Sequence, residues 1–248
     1  MAVRNIKLTI AYDGSSYHGW QIQPGQQTIQ GLITDAICAL TGSCVTVTGA
    51  SRTDAGVSAL AQAALVKLDT PIPVENLAKA ITDRLPPDVA VTEAVEVGDT
   101  FDIIVAVKKK LYRYTIFTGP VRPVLQIKHC WHIPAKLDIE AMKRAAERLL
   151  GKKDFRSFAS AADKRESSVR TIFSCDVTCC QEWLYIDVAG DGFLYNMVRN
   201  IVGTLAEVGR GRLSAEKMDE IIAAKNRTAA GPIAPPEGLC LMWIKYEV

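Results

Sequence analysis

The fold class is first indicated by residues 6–16, IKLTIAYDGSS. Apolar and polar side chains alternate from Ile6 to Tyr12, a pattern that predicts a strand with one buried face. Asp13 and Gly14 are turn residues and end that strand. A segment with apolar residues at helical spacing then begins after Thr28 and stops at Gly42, which predicts a capped helix. The chain therefore opens with a strand, a turn and a helix.

The same mixture of elements continues along the chain. The patterns predict further strands over 44–48, 59–68, 88–97, 111–118, 169–179, 183–188 and 239–246, and further helices over 74–85, 139–149, 194–208 and 215–224. Regular strand–helix–strand alternation with glycine-rich strand ends is missing, which argues against a parallel doubly wound fold. We expect an α+β fold of two similar α/β halves, residues 1–105 and 106–248, with a largely antiparallel mixed sheet. We also expect an active-site cleft between the halves.

Composition excludes several classes of protein. The chain has 248 residues, of which 48% are hydrophobic and 23% charged, so disordered and fibrous proteins are excluded. No apolar run approaches the ~18 residues of a membrane span, and no apolar block typical of a signal peptide follows Met1. The seven cysteines show no C-x-x-C spacing, which favours reduced thiols in a cytoplasmic protein. The pair His129 and His132 has no second ligand pair, so we predict no metal.

Positive charge is concentrated in the second part of the chain. Residues 1–100 hold 6 basic and 10 acidic residues, whereas residues 143–170 alone hold 9 basic and 4 acidic ones. This basic stripe (residues 143–170) includes Arg165, and a separate run with Lys109 and Lys110 precedes Tyr112. Basic residues interleaved with aromatic ones suit the phosphates and exposed bases of RNA. The alternative is an ordinary solvated surface.

The segment 49–57, GASRTDAGV, is the strongest candidate for a catalytic site. It joins two predicted strands and places Arg52 and Asp54 among small residues, which let a ligand or another backbone come close. A partly desolvated Asp that stays ionised is a competent nucleophile or general base. The alternative is a turn Asp that accepts hydrogen bonds from its own backbone.

The segment also resembles the catalytic signature of the tRNA pseudouridine synthase A family, RTDAGV at 52–57. Other segments match that family in order: residues 12–14, 17–23, 28–32, 85–89, 112–114, 154–158, 170–172, 192–194, 197–203 and 230–235. The resemblance covers nearly the whole chain, and it implies the pseudouridine synthase fold and an isomerase that needs no cofactor. Uridine in tRNA would be converted to pseudouridine in the anticodon stem-loop, at about positions 38–40 of the tRNA. It also implies a homodimer.

The resemblance assigns roles to individual residues. Asp54 would be the essential carboxylate, either forming an adduct at the sugar or removing a ribose proton. Tyr112 would stack on the flipped uracil, and Arg199 would pair with Asp54 and hold it ionised. Arg52 and Thr53 in the signature, and the basic residues Lys109, Lys110 and Arg165, would contact RNA.

Three departures from the family pattern bear on these roles. Ser51 replaces a usual Gly, so we expect a backbone φ below zero or a strained residue there. Ser58 replaces a usual His, and Asp102 stands in a stretch, Phe101–Ile104, where the family has Arg. We expect Lys108–Lys110 to compensate for that lost charge. Three other readings remain open: a synthase acting on other RNA uridines, a non-catalytic RNA-binding protein with the same fold, and a metal-dependent enzyme of small molecules.

Overall fold

A computed structural model describes residues 3–246. It contains ten strands and five helices within these residues, apart from short 3-10 turns. In chain order they are β1 (Arg4–Tyr12), α1 (Ile29–Thr41), β2 (Val47–Gly49), β3 (Ser58–Leu68), α2 (Val74–Thr82), β4 (Val89–Val97), β5 (Val107–Phe117), β6 (Trp131–His132), α3 (Ile139–Glu147), β7 (Gly151–Asp154), β8 (Val169–Cys180), β9 (Trp183–Gly190), α4 (Met197–Gly209), α5 (Lys217–Ala224) and β10 (Leu239–Tyr246).

The chain divides into two compact units. Unit 1 contains the described residues up to Lys108 together with those from Cys240 onward, and unit 2 runs from Lys109 to Leu239. Each unit carries helices and its own strands, in which antiparallel pairs predominate. The α+β class with a largely antiparallel mixed sheet is thereby confirmed. The division into halves at residues 105 and 106, and the cleft between them, stay predictions.

In unit 1 the strand order is β4-β1-β3-β10, with the short β2 also paired to β3. The pairs β1–β4 and β1–β3 are antiparallel, whereas β10 runs parallel to β3, with Leu241 opposite Ala59. Ile6, Leu8 and Ile10 of β1 are fully buried, as their alternation predicts. Helix α1 begins where the Thr28 hydroxyl accepts a hydrogen bond from Gly31 N, and it ends at Gly42 with φ +71°.

In unit 2 the strand order is β5-β9-β8-β7, all antiparallel, and β6 pairs parallel with β5. Helix α4 is apolar on nearly all sides, and almost all of its residues are buried. It contacts α3, and α3 contacts β8.

Several element boundaries differ from the predicted ones, and the short strands β6 and β7 are not among the predicted elements. Helix α4 begins at Met197 rather than at 194, because Asn196 has φ +62° and ends the preceding turn. Apolar periodicity does not indicate a positive φ, so the pattern predicted a helix that begins before Asn196. Strand β7, with the sequence GKKD, shows no alternation, and its pairing with residues 169–172 of β8 defines it.

Candidate active site

Asp54 lies in the loop between β2 and β3, and a second segment of unit 1 fixes the backbone of this loop. Trp20 N donates to Thr53 O at 3.1 Å, and Gly56 N donates to Tyr17 O at 3.3 Å. Inside the loop, Val57 N donates to Asp54 O at 3.1 Å. Main-chain hydrogen bonds therefore hold the loop on both sides of Asp54 and within it, while the Asp54 side chain is half-buried.

Two glycines allow the segment 14–20 to lie so close to this loop. A Cβ on Gly14 would stand 2.0 Å from Val57 O, and one on Gly19 would stand 2.6 Å from Thr53 O. Gly19 also has φ +83°, a conformation that side-chain-bearing residues rarely adopt. Tyr17 and Trp20 are buried beside them. The small residues are thus a requirement of backbone packing around Asp54.

Side-chain hydroxyls complete this arrangement. Thr53 is buried, and its Oγ1 lies 2.8 Å from the hydroxyl of Tyr12. Ser58, which replaces the usual His, accepts a hydrogen bond from Gly14 N at 3.0 Å and so binds the two segments together. In residues 3–246, positive φ outside glycine occurs at Gln181, Asn196 and Lys225, so Ser51 does not have a positive φ. The prediction that Thr53 contacts RNA stays a prediction, as does that for the exposed Arg52.

We expect Tyr12→Phe to lower the free energy of unfolding by about 1–3 kcal/mol, because it removes the partner of the buried Thr53 hydroxyl. Denaturant unfolding of Tyr12→Phe, Thr53→Val and the double variant measures this. The double variant should lose less than the sum of the two single losses, since it removes both members of the pair. Strictly additive losses would show that the hydroxyl pair contributes nothing.

Asp102, the acidic departure from the family pattern, closes a turn. Its carboxylate accepts hydrogen bonds from Val105 N at 2.9 Å and Ile104 N at 2.8 Å. These two bonds lower the pKa of Asp102 below its usual range. The neighbouring Ile103 is buried in a small core with Ala50 and Ala63. Asp102 therefore has a local structural role that does not depend on RNA.

In unit 2, Tyr112 and Tyr114 point to the same buried face of β5, as their spacing predicts. The ring of Tyr112 meets the ring of Phe193 edge to face, with centroids 5.3 Å apart. Tyr114 donates from its hydroxyl to Pro235 O at 2.8 Å, and burial raises the pKa of this phenol. Arg113 points the other way and forms a two-bond pair with Asp187 at 2.7–2.8 Å.

Arg199 lies in the first turns of α4, next to the segment 230–235. Its Nε donates to Ala234 O at 2.8 Å, and Nη1 donates to Asn196 Oδ1 at 3.1 Å. Its own carbonyl accepts from Ala234 N at 3.1 Å. These bonds hold the guanidinium against Asn196 and the segment 230–235.

Unit 2 also brings Lys110 and Arg165 into electrostatic contact. The pKa of Lys110 is lowered to about 8, first by burial and then by the positive charge of Arg165. The ammonium of Lys109 lies 5.3 Å from the ring centroid of Phe173. Elsewhere in the basic stripe, Lys143 and Arg148 form ion pairs with carboxylates. Part of the stripe is thus neutralised.

The sequence did not predict several contacts of the candidate residues, among them one of Tyr112 and one of Thr53. Phe193, which packs on Tyr112, was visible only as part of the matched segment 192–194. The bond between Tyr12 and Thr53 was indicated by nothing except the inward face of β1. Asp54 belongs to unit 1, and Tyr112 and Arg199 to unit 2, so the predicted meeting of these three groups stays a prediction.

Across residues 3–246, no three side chains of His, Cys, Asp or Glu are grouped closely enough to hold a metal ion. In the same part of the chain, no helix combines the length and the apolar character needed to cross a membrane.

A family model described as tRNA pseudouridine synthase matches residues 8–104 and 145–247, which is well over half of the chain. The chain belongs to the tRNA pseudouridine synthase family. Members of this family are isomerases, so the enzyme class predicted from the sequence is confirmed.

Individual relatives match the chain over nearly its full length. A protein named tRNA pseudouridine synthase A from Thermoanaerobacter sp. (strain X514) is 41% identical over 244 residues, which cover 98% of this chain and 100% of that protein. The protein of the same name from Moorella thermoacetica is 44% identical over 243 residues, covering 97% and 99%. One from Acetivibrio thermocellus is 43% identical over 244 residues, covering 98% and 100%. The resemblance drawn from the sequence motifs is therefore confirmed.

Proposed function

We propose that this protein converts uridine to pseudouridine in the anticodon stem-loop of tRNA, at about positions 38–40, and that Asp54 is the catalytic carboxylate. Support for tRNA as the substrate comes from the relatives that carry that name at 41–44% identity. The observation that carries the role of Asp54 is the fixed backbone of the loop between β2 and β3. Hydrogen bonds from Trp20 N and Gly56 N hold this loop on either side of Asp54.

The reaction is an internal rearrangement. The bond between uracil N1 and ribose C1′ breaks, the uracil turns while it stays bound, and a new bond forms between C5 and C1′. The proton on C5 leaves, and N1 takes up a proton, so substrate and product have the same composition. Asp54 either attacks the sugar and is later released, or removes a ribose proton to give a glycal. Both routes need an ionised, oriented carboxylate.

The other candidate residues fit the needs of this chemistry. A base must leave the RNA stack before its N1 and C5 can exchange places, and an aromatic ring such as Tyr112 gives the extruded uracil a stacking partner. In the proposal, Arg199 pairs with Asp54 and keeps it ionised. Its guanidinium is already oriented by Ala234 and Asn196.

The remaining proposals concern the bound RNA and the assembly. The residues proposed to contact RNA are Arg52, Thr53, Lys109, Lys110 and Arg165. The basic and exposed members of this set suit phosphates. The homodimer and the cytoplasmic location also stay proposals. Sedimentation at micromolar protein tests the first of these two.

The test is pseudouridine mapping on an unmodified tRNA transcript after incubation with the protein. We expect new pseudouridine in the anticodon arm and none in a transcript whose uridines there are replaced by cytidine. Modification confined to another arm would refute the anticodon assignment but keep the enzyme class. Tight tRNA binding without any pseudouridine would favour the non-catalytic RNA-binding protein.

A further inference from the structure

Three cationic side chains of unit 2 meet at one short turn, residues 190–193. Arg165 donates from Nη1 to Phe193 O. Arg170 lies beside Gly192, where its Cδ and Nε stand 3.6 Å from the position that a Cβ would take. Lys110 lies opposite Gly190 in the β5–β9 pair. We call these three residues the cationic cluster.

The members of the cluster repel one another. Burial and then the charge of Arg165 lower the pKa of Lys110 and also that of Arg170. Holding like charges together in partly desolvated positions costs free energy in the folded protein. A bound anion would relieve that cost.

The nearby carboxylates are occupied in holding the loops. Asp163 accepts from Arg165 N at 3.0 Å and from Tyr195 N at 2.6 Å, and its contact with the Arg165 guanidinium is longer, 3.9 Å. Asp191 accepts from Thr171 N at 2.9 Å. These bonds fix the backbone around the cluster, and both carboxylates also attract the positive charge of Arg170.

The two arginines also retain hydrogen-bond donors. Within residues 3–246 their side-chain hydrogen bonds all use Nη1, to Phe193 O from Arg165 and to the carbonyls of Ser167 and Val169 from Arg170. The Nε and Nη2 donors of both guanidiniums are left over. Pairs of such donors in one plane match two oxygens of a phosphate.

The position of the cluster indicates which phosphate it takes. Phe193, whose carbonyl binds Arg165, is the residue whose ring packs on Tyr112 at 5.3 Å. Lys110 and Tyr112 are two residues apart on β5 and so share a face. We propose that Arg165, Arg170 and Lys110 bind a backbone phosphate that flanks the target uridine, and so hold the extruded nucleotide against Tyr112. This inference rests on the proposed function for the role of Tyr112.

The test compares Arg165→Gln and Arg170→Gln with Arg122→Gln, an exposed arginine of the same unit that lies outside the basic stripe and serves as the matched control. The dissociation constant of a synthetic anticodon stem-loop RNA is measured for each protein at several salt concentrations. We expect each cluster variant to bind about tenfold more weakly. The slope of the logarithm of the binding constant against the logarithm of the salt concentration should fall by the amount expected for roughly one phosphate contact. Arg122→Gln should bind like the unaltered protein. Arg165→Lys, which keeps the charge but not the planar donors, should fall in between, and thermal melts confirm that every variant folds.

Chemical neutralisation of single phosphates then locates the contact. In a set of stem-loops, one phosphate at a time is replaced by a neutral methylphosphonate. We expect one replacement next to the target uridine to weaken binding of the unaltered protein about tenfold and to have no further effect on Arg165→Gln. Equal, additive effects at every phosphate would overturn the proposal, as would variants that bind like the control.

Pseudouridine formation on the same RNA is scored separately. One result would separate the two proposals. If the effect of neutralising one phosphate is absent in Arg165→Gln but no pseudouridine forms, the phosphate site is supported and the proposed function is overturned.

Discussion

Asp54→Asn is expected to abolish pseudouridine formation, with a loss of at least ~10³-fold in the single-turnover rate on unmodified tRNA. The amide keeps the shape of the side chain, but it neither attacks the sugar nor accepts a ribose proton. The main-chain bonds that hold the loop involve Thr53 O, Asp54 O and Gly56 N, none of which the substitution removes. The fold and the affinity for tRNA should therefore change little.

The matched control is Asp69→Asn, which neutralises an exposed carboxylate in the same unit. Its rate should equal that of the unaltered protein, and both variants should show the melting temperature of the parent within about 2 °C. If Asp54→Asn retains a tenth or more of the activity, another group is the catalytic carboxylate. A lost rate accompanied by a lowered melting temperature would point instead to a structural role for Asp54.

Gly203→Ala should produce a large loss of stability. A Cβ on Gly203 would stand 1.7 Å from Pro232 O and 2.9 Å from Pro232 C, both of which are backbone atoms. Either the helix or the segment 230–235 has to move, and that segment holds the Arg199 guanidinium through Ala234 O. We expect the free energy of unfolding to fall by ~3 kcal/mol or more, which corresponds to about 6–12 °C in melting temperature.

The control for this change is Gly98→Ala, since a Cβ at Gly98 meets no atom within 4 Å. That variant should melt within about 2 °C of the parent or slightly above it, because alanine restricts the unfolded chain. A Gly203→Ala protein that melts like the parent would show that the helix and the segment 230–235 separate without cost. Activity measured below the melting transition should also fall for Gly203→Ala, because Arg199 loses a hydrogen-bond partner.

The sequence by itself determined the local elements and the family. Alternation from Ile6 to Tyr12 predicted β1 and its buried face, and Thr28 and Gly42 correctly bounded α1. The spacing of Tyr112 and Tyr114 placed both rings on one face of β5. These features depend on residues close together in the chain, where side-chain periodicity and capping act directly.

The tertiary structure alone decided which distant segments meet. Several of these contacts join residues that are far apart in the sequence. They are the parallel pairing of β10 with β3, the approach of Gly14 to Val57 O and the approach of Gly203 to the backbone of Pro232. The sequence does not distinguish these glycines from other glycines. The structure does, because a second backbone lies where their Cβ atoms would be. The same holds for Arg165, one basic residue among nine in its stripe, which becomes distinctive because its guanidinium reaches the carbonyl of Phe193. Such contacts depend on packing across the whole unit, which local patterns do not record.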